Sequence, residues 1–181
     1  MEATRRAPRE EARFAADPRC YDSGMTDPVG MMRQLRAYAL SAAAEDLDLA
    51  PTQARPRVWG AIMELGYATG IATLLALADG TTSLYFSNGG GVIGAGEHAA
   101  VREAAESFLD AAEAHAAALP PVEATPTPRI GRVRLYVRTF EGTLGIEATD
   151  EELTRNEHPL SAVFHAGHAV ITAIRENSPE A

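Results

Sequence analysis

Apolar residues recur along the chain in two different periods, and the changes of period mark out its elements. After a charged, proline-punctuated opening, Asp27 supplies an N-cap and Pro28 a first helical residue. Val29, Met32, Leu35, Ala39 and Leu40 follow at helical spacing to about Glu45, with Arg33 and Arg36 expected to turn outward. Pro51 to Pro56 reads as a linker, after which the period drops to that of a strand. Val58 to Leu65 then places Val58, Gly60, Ile62 and Glu64 on one face and Trp59, Ala61, Met63 and Leu65 on the other. Gly66 and Gly70 flank a tight connection into the run IATLLALA, which stops at Asp79-Gly80, a hairpin signal, before the β-formers of Thr81 to Ser87.

The glycine-rich stretch Asn88 to Gly96 is expected to leave the sheet and deliver the chain to a second helix, from about Glu97 to Leu119. Val101, Ala104, Ala105, Phe108, Leu109 and Ala112 trace its buried stripe, while Glu103, Glu106, Asp110 and Glu113 are expected to face water. Pro120, Pro121, Pro126 and Pro128 end that helix and make residues 120–130 a stiff, extended connector. Alternation returns from Arg132 to Phe140, with Val133, Leu135, Val137 and Thr139 on one side and Arg132, Arg134, Tyr136, Arg138 and Phe140 on the other. Glu141-Gly142 turns into a further strand, Thr143 to Ala148. The polar segment TDEELTRNEH leads to a third helix, opened by Pro159 and carrying Val163, Phe164, Gly167, Val170, Ile171 and Ile174.

These elements sum to an α+β sandwich: a central, mostly antiparallel sheet of about five strands with three helices packed on it. One domain over residues 27–177 is expected, behind a flexible N-terminal arm of residues 1–26, with two lobes joined by the proline connector as the alternative. The helix-first order from Pro28 to Ile174 resembles the roadblock/dynein-light-chain arrangement within the profilin-like group, on element order alone. Bacterial members of that group are small dimeric regulators of GTPases and motility, so the resemblance implies a dimeric regulator. The proline-bearing connector departs from that pattern.

Composition narrows the function classes. With 46% apolar and 23% charged residues, the 181-residue chain is too apolar to be wholly disordered. Its formal charge of -9 disfavours long-range attraction to nucleic acid or anionic lipid. One cysteine, Cys20, excludes an intrachain disulfide and a four-cysteine metal site. The start MEATRRAPREEARFAADPR carries mixed charge and no apolar signal core, and no apolar window approaches membrane-spanning length; a cytoplasmic location is expected.

The candidate chemistry is sparse. Gly89, Gly90, Gly91, Gly94 and Gly96 stand before a helix, where successive backbone N–H groups can form an anion nest for a nucleotide or phosphorylated metabolite. The Lys-Ser/Thr pair of a phosphate loop is missing, and Glu97 sets a negative charge where a phosphate would dock. His165 and His168 share a helical face with His158 about two turns earlier, but a metal needs a further ligand from elsewhere. The Arg132, Arg134, Tyr136, Arg138 and Phe140 stripe reads as a solvated face, and alternatively as a partner-binding one. No catalytic residue, metal-ligand set or cofactor is assigned. The expectation is a non-enzymatic protein–protein interaction, regulatory or scaffold module, homodimeric and free of nucleic-acid and membrane partners. The alternative is a small-ligand binding protein or an enzyme using the glycine loop 88–96.

Overall fold

The apolar run from Val58 to Tyr67 forms β1, a central strand buried on both faces, which is why it lacks the polar alternation of a strand with one face in water. In the computed structural model, which describes residues 27–178, β1 pairs with β2 (Gly70–Leu77), and β2 pairs with β3 (Thr82–Phe86). The Asp79-Gly80 turn forms as its sequence suggests: Asp79 Oδ1 accepts the Thr81 N–H at 2.8 Å and Gly80 takes a φ of +91°. On its other side β1 pairs with β5 (Arg132–Thr139), which pairs in turn with β6 (Gly142–Thr149). Both halves of the chain therefore share one sheet.

The sheet has six strands in the order β4-β3-β2-β1-β5-β6, all antiparallel, so the fold is α+β with one strand more than expected. The extra strand, β4 (Gly91–Val92), comes from the glycine stretch itself, which turns back onto β3 instead of leaving the sheet at once. The helices are α1 (Pro28–Ser41), α2 (Ala99–His115), α3 (Asp150–Thr154) and α4 (Ser161–Asn177). The short α3 was hidden in a polar segment. It is nucleated by a capping box in which Thr149 Oγ1 accepts the Glu152 N–H at 3.1 Å and Glu152 Oε2 accepts the Thr149 N–H at 3.2 Å. The N-terminal arm and Cys20 lie outside the described residues.

One irregularity reverses an expected face assignment. Val58 stands opposite Thr139 and Gly60 opposite Arg138, which leaves Trp59 as the extra residue of a β-bulge. The bulge puts Val58 with Ala61, Met63 and Leu65 in the larger core, and Trp59 with Ile62 in the smaller one, opposite to strict alternation. Trp59 Nε1 donates to Thr139 O at 3.0 Å, and the Arg138 guanidinium lies 5.0 Å from the indole centroid.

The larger core joins this face to α2 and α4 through Phe108, Leu109, Val163, Phe164, Val170 and Ile174. Gly167 lets α4 approach, since a Cβ there would stand 2.7 Å from Met63 Cε. The smaller core lies on the opposite face, where Ala39 of α1 and the following Ala42 and Ala44 cover Trp59, Ile62, Leu75, Leu77 and Tyr136. Apart from the exposed Arg132, the arginine and aromatic stripe of β5 is consequently not a solvated face. Tyr136 is buried, and Arg138 donates to Leu40 O and Ala42 O, capping the open carbonyls where α1 ends. The proline connector binds β6 through Gly145 N–H to Pro120 O and Val122 N–H to Thr143 O, both 2.9 Å, and then crosses the smaller core, where Pro126 O accepts the Tyr136 hydroxyl at 2.7 Å.

Candidate functional site

On the α1 side, the strand register aligns five polar residues in a row: Tyr85, Thr73, Glu64, Arg134 and Glu147. Glu64, at the middle, is 0% exposed. A lone buried carboxylate is costly, and Arg36 answers it by reaching down from α1. Its Nε and Nη2 donate to the two carboxylate oxygens at 2.6 and 2.8 Å, a two-pronged pairing that Thr73 Oγ1 extends at 3.2 Å. Arg36 Nη2 also donates to Thr125 O at 2.8 Å, so one guanidinium ties α1, β1 and the connector together. Arg36 thus points inward, against the sequence expectation. Burial alone would lower its pKa, but the Glu64 carboxylate more than compensates and holds it above the ordinary value.

Beside this pair, Arg134 Nη2 lies 2.8 Å from Glu147 Oε2 as an ion pair without hydrogen-bond alignment, and Arg134 Nε and the Tyr85 hydroxyl are buried without a hydrogen-bond partner among the described residues. Burial first, and then the charge of Glu64, push the Tyr85 hydroxyl far above the usual phenol range. The row is a clamp in which the ionised groups hold secondary-structure elements.

A second carboxylate behaves in the same way. Glu113, expected to face water, accepts the Val58 N–H and Arg57 Nε at 2.8 Å and the Arg57 N–H at 3.1 Å, fastening α2 to the start of β1. Burial pushes its pKa up, but the Arg57 side chain and the two N–H groups outweigh that and leave it below the ordinary 4.5. A group whose folded-state pKa is depressed adds stability above its unfolded value, and that stability is lost as pH falls through the folded one. Glu113→Gln is therefore expected to lower the urea midpoint at neutral pH and to flatten its decline below pH 4.5. Parallel midpoint profiles for the two proteins would contradict this.

The five glycines of the candidate anion loop are spread over three local structures. Gly89 and Gly90 make the β3–β4 turn, with Gly89 N–H donating to Phe86 O at 3.0 Å and Phe86 N–H to Gly90 O at 3.1 Å. Gly91 belongs to β4, while Gly94 precedes and Gly96 lies within a 3-10 turn over Ala95–Glu97. Gly94 N–H donates to Ser83 Oγ at 3.3 Å, and Glu97 N–H to Gly94 O at 3.3 Å. Arg102, the nearest candidate cation in sequence, donates to Gly96 O and Glu97 O at 3.1 and 3.0 Å.

The histidines separate as well. His158 Nδ1 accepts the Leu160 N–H at 3.1 Å, and His165 Nε2 lies 3.1 Å from Asn156 Oδ1. His168 packs edge-on to Phe164, its Nε2 buried and unpaired among the described residues; burial lowers its pKa, opposed by Asp150. Among the described residues no group of three or more His, Cys, Asp or Glu side chains is placed to hold a metal ion.

The feature that sequence reading missed is a depression of about 240 Å³ at the end of β1, lined by Leu65, Tyr67, Ala68, Ile130 and Val133, with Arg132 and Asp150 among its polar members. Tyr67 is 51% and Ile130 73% exposed, unusually open for large apolar side chains. The only sequence signal is Ile130 itself, an isolated apolar residue between Arg129 and Gly131 just after the prolines. No helix among the described residues is long and apolar enough to cross a membrane. No family model matches the chain, and neither a curated protein nor a solved structure shows significant similarity to it.

Proposed function

We propose that the protein is a non-enzymatic association module that works as a homodimer. The observation that carries this reading is the division of labour among its side chains. The buried carboxylates Glu64 and Glu113 and the half-buried Arg36 and Arg138 are committed to joining elements of the fold, whereas Tyr67 and Ile130 present apolar surface around an open depression. No relative lends its role to this chain, so the reading rests on those surfaces.

A dimer that forms only from folded chains raises the apparent stability of the fold in proportion to the logarithm of concentration. The thermal midpoint is therefore expected to climb as the protein is concentrated and to stay unmoved by nucleotides, inorganic phosphate or phosphorylated sugars. A concentration-independent midpoint with a saturable rise on adding a nucleotide, abolished by Gly94→Ala, would transfer the function to the glycine loop.

A further inference from the structure

Accepting that the chain self-associates, we infer that two copies meet through the Tyr67–Ile130 patch, each presenting the same surface to the other. Both edges of the sheet are partly occupied by the chain itself. On the outer edge of β6, the connector takes the Gly145 N–H and the Thr143 carbonyl, and Glu152 takes the Thr149 N–H. At the opposite end of the sheet β4 pairs with Leu84 and Tyr85, Gly90 O receives the Phe86 N–H, and Ser83 Oγ receives the Gly94 N–H. An added strand finds part of each edge already bonded. The two sheet faces are covered by α2 and α4 on one side and by α1 and the segment after it on the other.

The Tyr67–Ile130 patch has the properties that a self-complementary contact requires. Its backbone is fixed, because Gly131 N–H donates to Gly66 O at 2.9 Å and Asp150 N–H to Gly131 O at 3.1 Å; little ordering cost remains for binding. Ile130 projects beside the hollow floored by Leu65 and Val133, so a two-fold arrangement lets the Ile130 of each copy enter the hollow of the other. The rim carries one charge of each sign, Arg132 and Asp150, and neither forms an ion pair among the described residues. Under a two-fold axis Arg132 of one protomer faces Asp150 of its partner, and the contact is made twice. This matters for a chain of net charge -9, whose copies repel one another except where the local charge is balanced. At about 240 Å³ the hollow is smaller than the roughly 300–1,000 Å³ of sites that enclose a drug-sized ligand, and it suits an apolar side chain better.

The test uses the full chain and three variants, Ile130→Asp, Arg132→Glu and Asp150→Arg, with the dissociation constant read by sedimentation and the fold checked by circular dichroism and urea midpoint. Ile130→Asp is expected to weaken the dimer at least about tenfold, because it places an unpaired carboxylate in the apolar centre, and to leave the circular dichroism spectrum unchanged. Arg132→Glu and Asp150→Arg should each dimerise poorly alone, since each doubles a like-charge contact, yet form a heterodimer when mixed. That complementation requires direct facing and is not produced by a loss of stability. A wild-type dimer that survives Ile130→Asp, with no complementation in the mixture, overturns the assignment of the surface while leaving self-association intact. A wild-type chain that is monomeric at every concentration removes both.

Discussion

Arg36→Ala is expected to lower the stability of the fold by about 3 kcal/mol, the lower end of the cost of breaking a buried ion pair. The lower end applies because the Arg36 side chain retains 20% exposure, so water can reach part of the vacated site. The loss is large because it falls on the partner left behind. Among the described residues Glu64 then keeps only Thr73 Oγ1 as a hydrogen-bonding neighbour in the middle of the sheet, and Thr125 O loses its donor at the same time. Urea unfolding at neutral pH should show the drop as a lower midpoint with an unchanged slope. A double variant, Arg36→Met with Glu64→Leu, removes both charges and fills the space, and is expected to unfold close to the wild type. If Arg36→Ala costs under about 1 kcal/mol, the pair is behaving as a solvated surface bridge and the clamp is not what docks α1.

Gly96→Ala is the second large effect, expected to cost about 2–3 kcal/mol, near the top of the range for forcing an extra carbon into a packed site. Its cause is a close approach and not an unusual backbone angle. A Cβ at Gly96 would run into the carbonyl oxygen of Gly80, a backbone atom that cannot swing aside as a side chain can, and would stand 3.3 Å from Thr82 Oγ1. Gly94 offers the opposite case, with a φ of +75° and nothing within 4 Å of the site where a Cβ would stand. Gly94→Ala should therefore cost only about 1 kcal/mol, the strain of a left-handed alanine. The thermal midpoints should rank wild type, then Gly94→Ala, then Gly96→Ala. The reverse order would mean that the loop is loosely packed and that its glycines are there for conformational freedom.

The parts of the fold that the sequence made legible are those settled by local chemistry. Asp79-Gly80 made a hairpin because a short acceptor and a left-handed glycine suffice to close one. The stripe of Val101, Ala105, Phe108, Leu109 and Ala112 became the buried side of α2 because its period leaves one side apolar. What stayed hidden depends on partners far along the chain. Arg36 and Glu64 lie 28 residues apart, and Arg36 looks like any solvent-facing arginine until α1 is laid on the sheet. Glu64 did carry a signal, as a single acid between Met63 and Leu65 in a strand otherwise free of charge. The Trp59 bulge was invisible because it arises from the pairing of β1 with β5, not from either strand alone.

The candidate surface was hidden for a related reason. Tyr67 ends β1, and Ile130 sits just before β5, so the two come together only when those strands pair. The glycine loop drew notice in the sequence because composition is visible there, whereas the bonds that bind Gly89 and Gly94 within the chain are not.

Sedimentation equilibrium on the full chain, from nanomolar to high micromolar concentration, addresses the proposed role most directly. Association predicts a mass that rises with concentration from the single-chain 19.2 kDa to a plateau at twice that value. A mass that remains at 19.2 kDa across the whole range would contradict it.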